Sequence, residues 1–349
     1  MIIGACGFGS TGSSAVSDYL LEFGNVQVLD NIEFTWVSLP DSLIDLDYHL
    51  NHPHMRTGDS IIAIQRYIEL AKNSERVLRR HGGVDTNKFL KSVDSFVDSI
   101  TTLKWDWYTK KSDNLFSKYF VDLFLLSRII PRIEIKLKRQ LHCWPFHPVR
   151  FAVNPSAFDE ASRKHVHELL EAYGAKFDKP LILDQPFSGN NPQACFKYYE
   201  DPYAIVVDRD PRDNYVFART KLLGRNHFMA VDTVEDFVKY YRALRENQPY
   251  KDPHERVLSI MFEDMVYKYD ETTCKIREFL KLGDNPNPKS IFDPKISMPN
   301  TRVWLRYPEF KKDIEYIEKE LPEYLYDYTG CPEPDLKGNM FFGKSPKNK

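Results

Sequence analysis

Residues 1–14 read MIIGACGFGSTGSS. A short apolar run ends at Cys6, and glycines follow at Gly7, Gly9 and Gly12. A helical pattern comes next, with Ala15, Val16, Tyr19 and Leu20 on one face. Glycines let backbone N–H groups approach an anion, and a helix N-terminus adds positive partial charge. The stretch therefore predicts that an anionic group is held just beyond the first strand.

Four more short apolar runs read as buried strands, at 26–29, 181–183, 204–207 and 257–261. They alternate with helical patterns, which predicts a parallel sheet whose crevice lies beyond the C-terminal strand ends. Polar residues fall at those ends, at 7–14, 30–33, 184–185, 208–213 and 263–264. Residues 40–150 differ. Helical patterns at 61–72, 87–103 and 114–141 dominate there, the last breaking at Pro131, so the block reads as a mostly helical insertion. Further helices fit 155–173, 234–246, 271–280 and 307–321, and the tail from 332 to 349 reads as loop.

Composition bounds the possibilities. Among 349 residues, 42% are hydrophobic, enough for a sizeable core, and the net charge of −2 argues against a bulk nucleic-acid binder. Cys6, Cys143, Cys195, Cys274 and Cys331 are scattered without a CxxC pair, which fits a reducing, cytoplasmic compartment rather than a disulfide or zinc framework. The first strand begins at Met1, so no leader is expected. The longest apolar candidate, 119–130, contains Asp122 and Arg128 and reads as a buried helix rather than a membrane span. His142 and His147 have no carboxylate at metal-ligand spacing, so no metal site is expected. His165 and His167 read as solvated on a polar helix, and the basic run 136–139 as a solvated face.

The glycine loop admits three readings. Gly7-x-Gly9-x-x-Gly12 matches a dinucleotide fingerprint, with Asp30 ending a second strand as the ribose acid. Gly7 and Gly12 also have P-loop spacing, but Ser13 stands where the lysine should be. The third reading draws on more of the chain. Ser10-Thr11-Gly12-Ser13-Ser14 with the later Glu33, the segment VVDRDPRDNYVF at 206–217, the segment MFEDMVYKYDETTCKIREFLKL at 261–282, and the closing stretch 300–321 together resemble the sulfotransferases of bacterial and Golgi type.

That resemblance implies a three-layer α/β fold of P-loop type. It implies a parallel sheet of about five strands, a common sheet size, in a single domain over 1–349 with the insertion at 40–150. It also implies 3′-phosphoadenosine 5′-phosphosulfate as cosubstrate and direct sulfuryl transfer to a hydroxyl or amine acceptor, with a saccharide preferred, and without metal, nucleic acid or membrane span. Gly9, Ser10, Thr11, Gly12, Ser13 and Ser14 would cradle the sulfate end. Arg209 would hold the 3′-phosphate with its bidentate fork, helped by Arg219 and Lys221. Phe262 would lie near the adenine. Asp184, two residues before Pro186, takes the place of the family's base, and Glu33 is a second candidate.

The chain departs from the family at two anion contacts: Ser10 stands where a Lys or Arg usually precedes the Ser/Thr-Gly pair, and Phe217 where a serine is usual. Sulfuryl transfer depends on charge stabilisation, so a non-catalytic nucleotide-binding protein stays open, beside a P-loop kinase or a dinucleotide oxidoreductase. Several residues also carry plainer readings. Asp184 equally fits a turn cap, Glu33 a partner for Arg209, Asp213 a helix-start cap, and Glu263 a partner for the arginines. Trp105, Trp107, Tyr108 and Trp144 fit helix packing as well as an acceptor wall.

Overall fold

Ile2, Ile3, Ala5 and Cys6 are buried on successive positions, as expected of a strand covered on both faces. In the computed structural model this strand is the middle one of its sheet. The structure describes every residue except 30–32, 53–56, 82, 108–122, 140–146, 222–228, 247–253 and 337–349.

In chain order the strands are β1 (Ile2–Gly7), β2 (Gln27–Leu29), β3 (Leu103–Trp107), β4 (His147–Phe151), β5 (Leu181–Asp184), β6 (Pro202–Asp208) and β7 (Val257–Met261). The helices used below are α1 (Ser14–Leu21), α2 (Leu43–Asn51), α3 (Thr57–His81), α4 (Thr86–Ile100), α5 (Leu123–Leu137), α6 (Phe158–Ala172), α7 (Pro211–Lys221), α8 (Val234–Glu246), α9 (Phe262–Tyr267), α10 (Tyr269–Leu280), α11 (Pro294–Ser297) and α12 (Lys311–Glu320). Two compact units emerge, Met1–Ser38 with Leu170–Lys349, and Leu39–Leu169.

In the first unit, the described residues form a five-stranded sheet of order β2-β5-β1-β6-β7, every pair parallel. The α/β class and the strands at 26–29, 181–183, 204–207 and 257–261 are thus as the sequence indicated. The register sets Ala5 beside Asp184 and Ile205, Gly7 beside Val207, and Asp208 beside Met261. The C-terminal tips of β5, β1, β6 and β7 therefore share one edge. On one face Ile3, Ala5, Ile182, Ile205 and Ile260 pack against Ala15, Val16, Tyr19 and Leu20 of α1 and against Ile276 and Leu280 of α10. Each buried Ile, Leu or Val among them is worth roughly 1.5–3 kcal/mol. A second cluster joins Tyr215 and Val216 of α7, Phe237 and Tyr241 of α8, and Ile314 and Ile317 of α12.

The second unit differs locally from its sequence pattern. The 87–103 pattern ends at Ile100, and β3 pairs antiparallel with β4 from Leu103 opposite Phe151 to Trp107 opposite His147. Thr102 N–H already donates to the Phe151 carbonyl at 2.8 Å, so the ladder takes the backbone groups that a longer helix would have used. Helix α5 runs through Pro131 instead of breaking there; one lost backbone bond kinks a helix without necessarily ending it. Of the 119–130 stretch expected to be a buried helix, only Ile129 has a described side chain, and it is 40% exposed; residues 119–122 lie outside the described residues.

His165 also differs from expectation. It is buried and stacked on Phe96 at 4.5 Å, with Tyr67 Oη at 2.5 Å from Nε2 and Ser92 Oγ at 2.8 Å from Nδ1. Burial pushes its pKa down to about 3, with Ser92 pulling slightly the other way. Its helical spacing was read as a polar face, but the two hydroxyls make it a satisfied core histidine. No described helix is long and apolar enough to cross a membrane.

Candidate functional site

The chain leaves β1 through a loop whose backbone turns left-handed at Gly9 (φ +88°), Ser10 (φ +55°) and Gly12 (φ +89°). At Gly12 a Cβ would also stand 2.6 Å from a ring carbon of Phe262, so only glycine fits. The loop is pinned from several elements. Thr11 Oγ1 accepts Phe8 N–H at 3.3 Å. Gln185, just past β5, accepts Gly7 N–H at 3.2 Å and donates to Ser13 Oγ at 3.0 Å. Asn214 on α7 donates to the Gly9 carbonyl at 3.0 Å. The Ser13 side chain does not cap α1. Among the described residues no acceptor takes the N–H groups of Thr11, Gly12, Ser13 or Ser14. Four consecutive donors at a helix start are the elements of an anion seat.

Arg209 follows β6. Its backbone N–H donates to Asp208 at 2.7 Å, and Asp208 is itself gripped by the buried Arg245 through contacts of 2.7 and 2.5 Å. The Arg209 guanidinium lies over the rings of Phe217 and Phe262, at 5.5 and 5.2 Å. It donates to the Ser10 carbonyl at 3.3 Å and to the Asn300 carbonyl, while its buried Nε has no partner. Fixed there, a planar cation touches the loop directly.

Asp210, Asp213 and Glu263 are fully buried near it. Asp210 takes Arg212 in a fork of 3.0 and 2.7 Å, Asp213 accepts the N–H groups of Arg302 and Val303, and Glu263 accepts Asp210 N–H at 3.1 Å. Burial pushes the Asp213 carboxyl up to about 7, Arg209 pulling it back and Asp210 adding to the rise. Glu263 is raised well above the carboxylate range, by burial first and then by Asp210 and Asp213. These three acids serve as internal braces for the turn that carries Arg209 and for the segment that supplies Asn300.

One cavity of about 930 Å³ gathers Gly9, Ser10, Thr11, Gly12, Ser13, Ser14, Glu33, Asp184, Arg209 and Phe262, all from the first unit. Phe34 N–H donates to the Asp184 carbonyl at 2.9 Å, which brings the Glu33 segment alongside the tip of β5. One expected helper, Arg219, is not among the residues lining the cavity. Arg219 Nη1 donates to the Val231 carbonyl at 2.9 Å, and the guanidinium lies over Phe310. Lys221 ends α7, and its side chain is outside the described residues, as are Asp30, Tyr108, His142, Trp144 and residues 337–349. Arg209, expected at the 3′-phosphate, donates to the Ser10 carbonyl and so stands beside the loop.

Among the described residues lining the cavity, Arg209 is the only cation, against the carboxylates of Asp18, Glu33, Asp184 and Asp293. The described residues contain no group of three His, Cys, Asp or Glu side chains able to hold a metal ion. Sequence reasoning placed Gln185 and Asp208 only as polar residues at strand tips, and it missed Asn214 and Arg245, although Asn214 sits inside the quoted 206–217 segment. It also missed Glu22. That residue, just after α1, accepts from Asn285 at 2.6 Å, Ile291 N–H at 3.0 Å and Phe292 N–H at 2.9 Å, and so fixes one cavity wall.

No family model and no curated protein matches the chain. Among solved structures it is similar to a sulfotransferase from Alicyclobacillus acidocaldarius, at 13% identity over 91% of this chain and 94% of that one, with a TM-score of 0.37. It is similar to a sulfotransferase domain from the curacin biosynthetic pathway, at 12% identity over 82% and 75%, with a TM-score of 0.36. A third is sulfotransferase STF1 from Mycobacterium tuberculosis H37Rv, at 12% identity over 81% and 67%, with a TM-score of 0.33.

Proposed function

We propose that this protein is a sulfotransferase-like enzyme that moves a sulfuryl group from 3′-phosphoadenosine 5′-phosphosulfate to a hydroxyl or amine. The observation that carries the reading is the bare row of N–H donors at Thr11–Ser14 with the Arg209 guanidinium held against the same loop. Backbone donors fixed before the ligand arrives stabilise developing charge without reorganisation. The acceptor oxygen or nitrogen attacks sulfur in line, the bond from sulfur to the bridging oxygen breaks, and adenosine 3′,5′-bisphosphate leaves. Asp184 takes the acceptor proton, with Glu33 beside it. Arg209 offsets charge on the leaving oxygen, the part that the serine at position 10 does not supply. The cavity volume falls within the range of ligand sites.

Calorimetric titration with adenosine 3′,5′-bisphosphate tests the seat. Arg209→Ala is expected to weaken binding by about 1.5–3 kcal/mol, the size of a charged hydrogen-bonded contact, with Arg209→Lys intermediate. Unchanged affinity in both variants defeats the assignment. A second reading follows from the single cation on the described walls: a protein that binds one phosphate and transfers nothing. Equal affinity for adenosine 5′-monophosphate and the bisphosphate, without turnover of the sulfated donor, supports that reading instead.

A further inference from the structure

No described side chain of helix α5 is buried, and Ile135, at 78%, is the most exposed of its apolar ones. Ile129, Ile133 and Leu137 stand at i, i+4 and i+8, one above another on the helix surface, and are 40%, 40% and 57% exposed. Arg132 and Lys136 flank this stripe, and Lys138 and Arg139 follow in the next turn, all four exposed. Between 129 and 139 only Glu134 opposes them in charge. The patch is cationic although the chain as a whole carries −2. An apolar stripe edged by long basic side chains is the pattern of a helix lying in a lipid interface, where the stems cover apolar surface and the charged ends meet headgroups. At 1.5 Å per residue the helix is only about 22 Å long, too short for a hydrocarbon core of roughly 30 Å.

We propose that α5 and the basic turn after it dock flat on an anionic lipid surface. The charge pattern selects the occupant: a second copy of this face would bring like charges together, whereas anionic headgroups complement it. The docking is independent of the nucleotide reading, since the seat at Thr11–Ser14 belongs to the other unit.

Cosedimentation of the full chain with vesicles tests this, using phosphatidylcholine alone or mixed with phosphatidylglycerol. Binding is expected only to the anionic vesicles, and it should fall as salt rises. Each basic side chain near such a surface contributes roughly fivefold, so Arg132→Gln with Lys136→Gln should weaken binding about 25-fold. Ile129→Ser with Ile133→Ser should weaken it as well. These side chains are exposed, so circular dichroism and melting should match the parent. Amide exchange over 129–137 should slow when anionic vesicles are added. Equal binding to neutral vesicles, full binding by both variant pairs, or no exchange protection over 129–137 overturns the proposal. So does a parent that ignores vesicles but dimerises through this face in sedimentation.

Discussion

Gly12 has φ +89° and the Phe262 ring where a side chain would be. Gly12→Ala must either flatten that turn or push the ring, and the ring also faces Arg209. Strain in the left-handed region costs on the order of 1–3 kcal/mol. Denaturant unfolding is therefore expected to show a loss of about that size, with bisphosphate affinity falling as the row of donors is disturbed. The glycine was readable from the sequence because its spacing to Gly7 and Gly9 is local. Gln185 was not, since its two bonds join residues more than 170 positions apart and no local pattern encodes them. Arg219 shows the opposite limit: it lies within one helical turn of Phe217, but its Nη1 donates to the nearby Val231 carbonyl.

Glu22 ends α1 and, 2% exposed, ties a distant loop to it. Four donors converge on its carboxylate, those of Asn285, Lys289, Ile291 and Phe292. Glu22→Ala would strand buried backbone donors, and a loss of about 3 kcal/mol is expected in urea unfolding. Glu22→Gln, which keeps one acceptor, should recover part of it. Affinity at the seat should drop in parallel, because Ile291 and Phe292 line the cavity. Elements buried on both faces were legible: continuous apolar runs bounded by polar tips gave β1, β5, β6 and β7. The β3–β4 ribbon was not. Its strands pair across some forty residues, and Thr101-Thr102 offered no glycine or proline to mark the end of α4.

The two units carry buried groups that answer acid in opposite ways. In Leu39–Leu169, His165 has a folded pKa of about 3 against 6.5 when free. Below pH 6.5 the unfolded chain binds a proton that the native site refuses, so stability is lost as pH falls from 6.5 toward 3. The slope approaches about 1.4 kcal/mol per pH unit. In the other unit, Asp213 has a folded pKa of about 7 against 3.8. Between those values the native site keeps a proton that the unfolded chain releases, so stability rises as pH falls from 7 toward 3.8, and Glu263 acts in the same sense. Segment-resolved amide exchange at pH 7 and pH 5 should show faster opening around His165 and slower opening around Asp213. His165→Gln should remove the first trend only.

The sheet order has a consequence for synthesis on the ribosome. β1 is made before the other strands of its sheet, yet the two that flank it begin at Leu181 and Pro202. The nascent apolar strand must wait, unpaired, until some two hundred residues have emerged. Contacts so remote in sequence close slowly, and exposed strand edges invite aggregation meanwhile. Recombinant yield should therefore depend on chaperone capacity and translation speed more than on the stability of the finished protein.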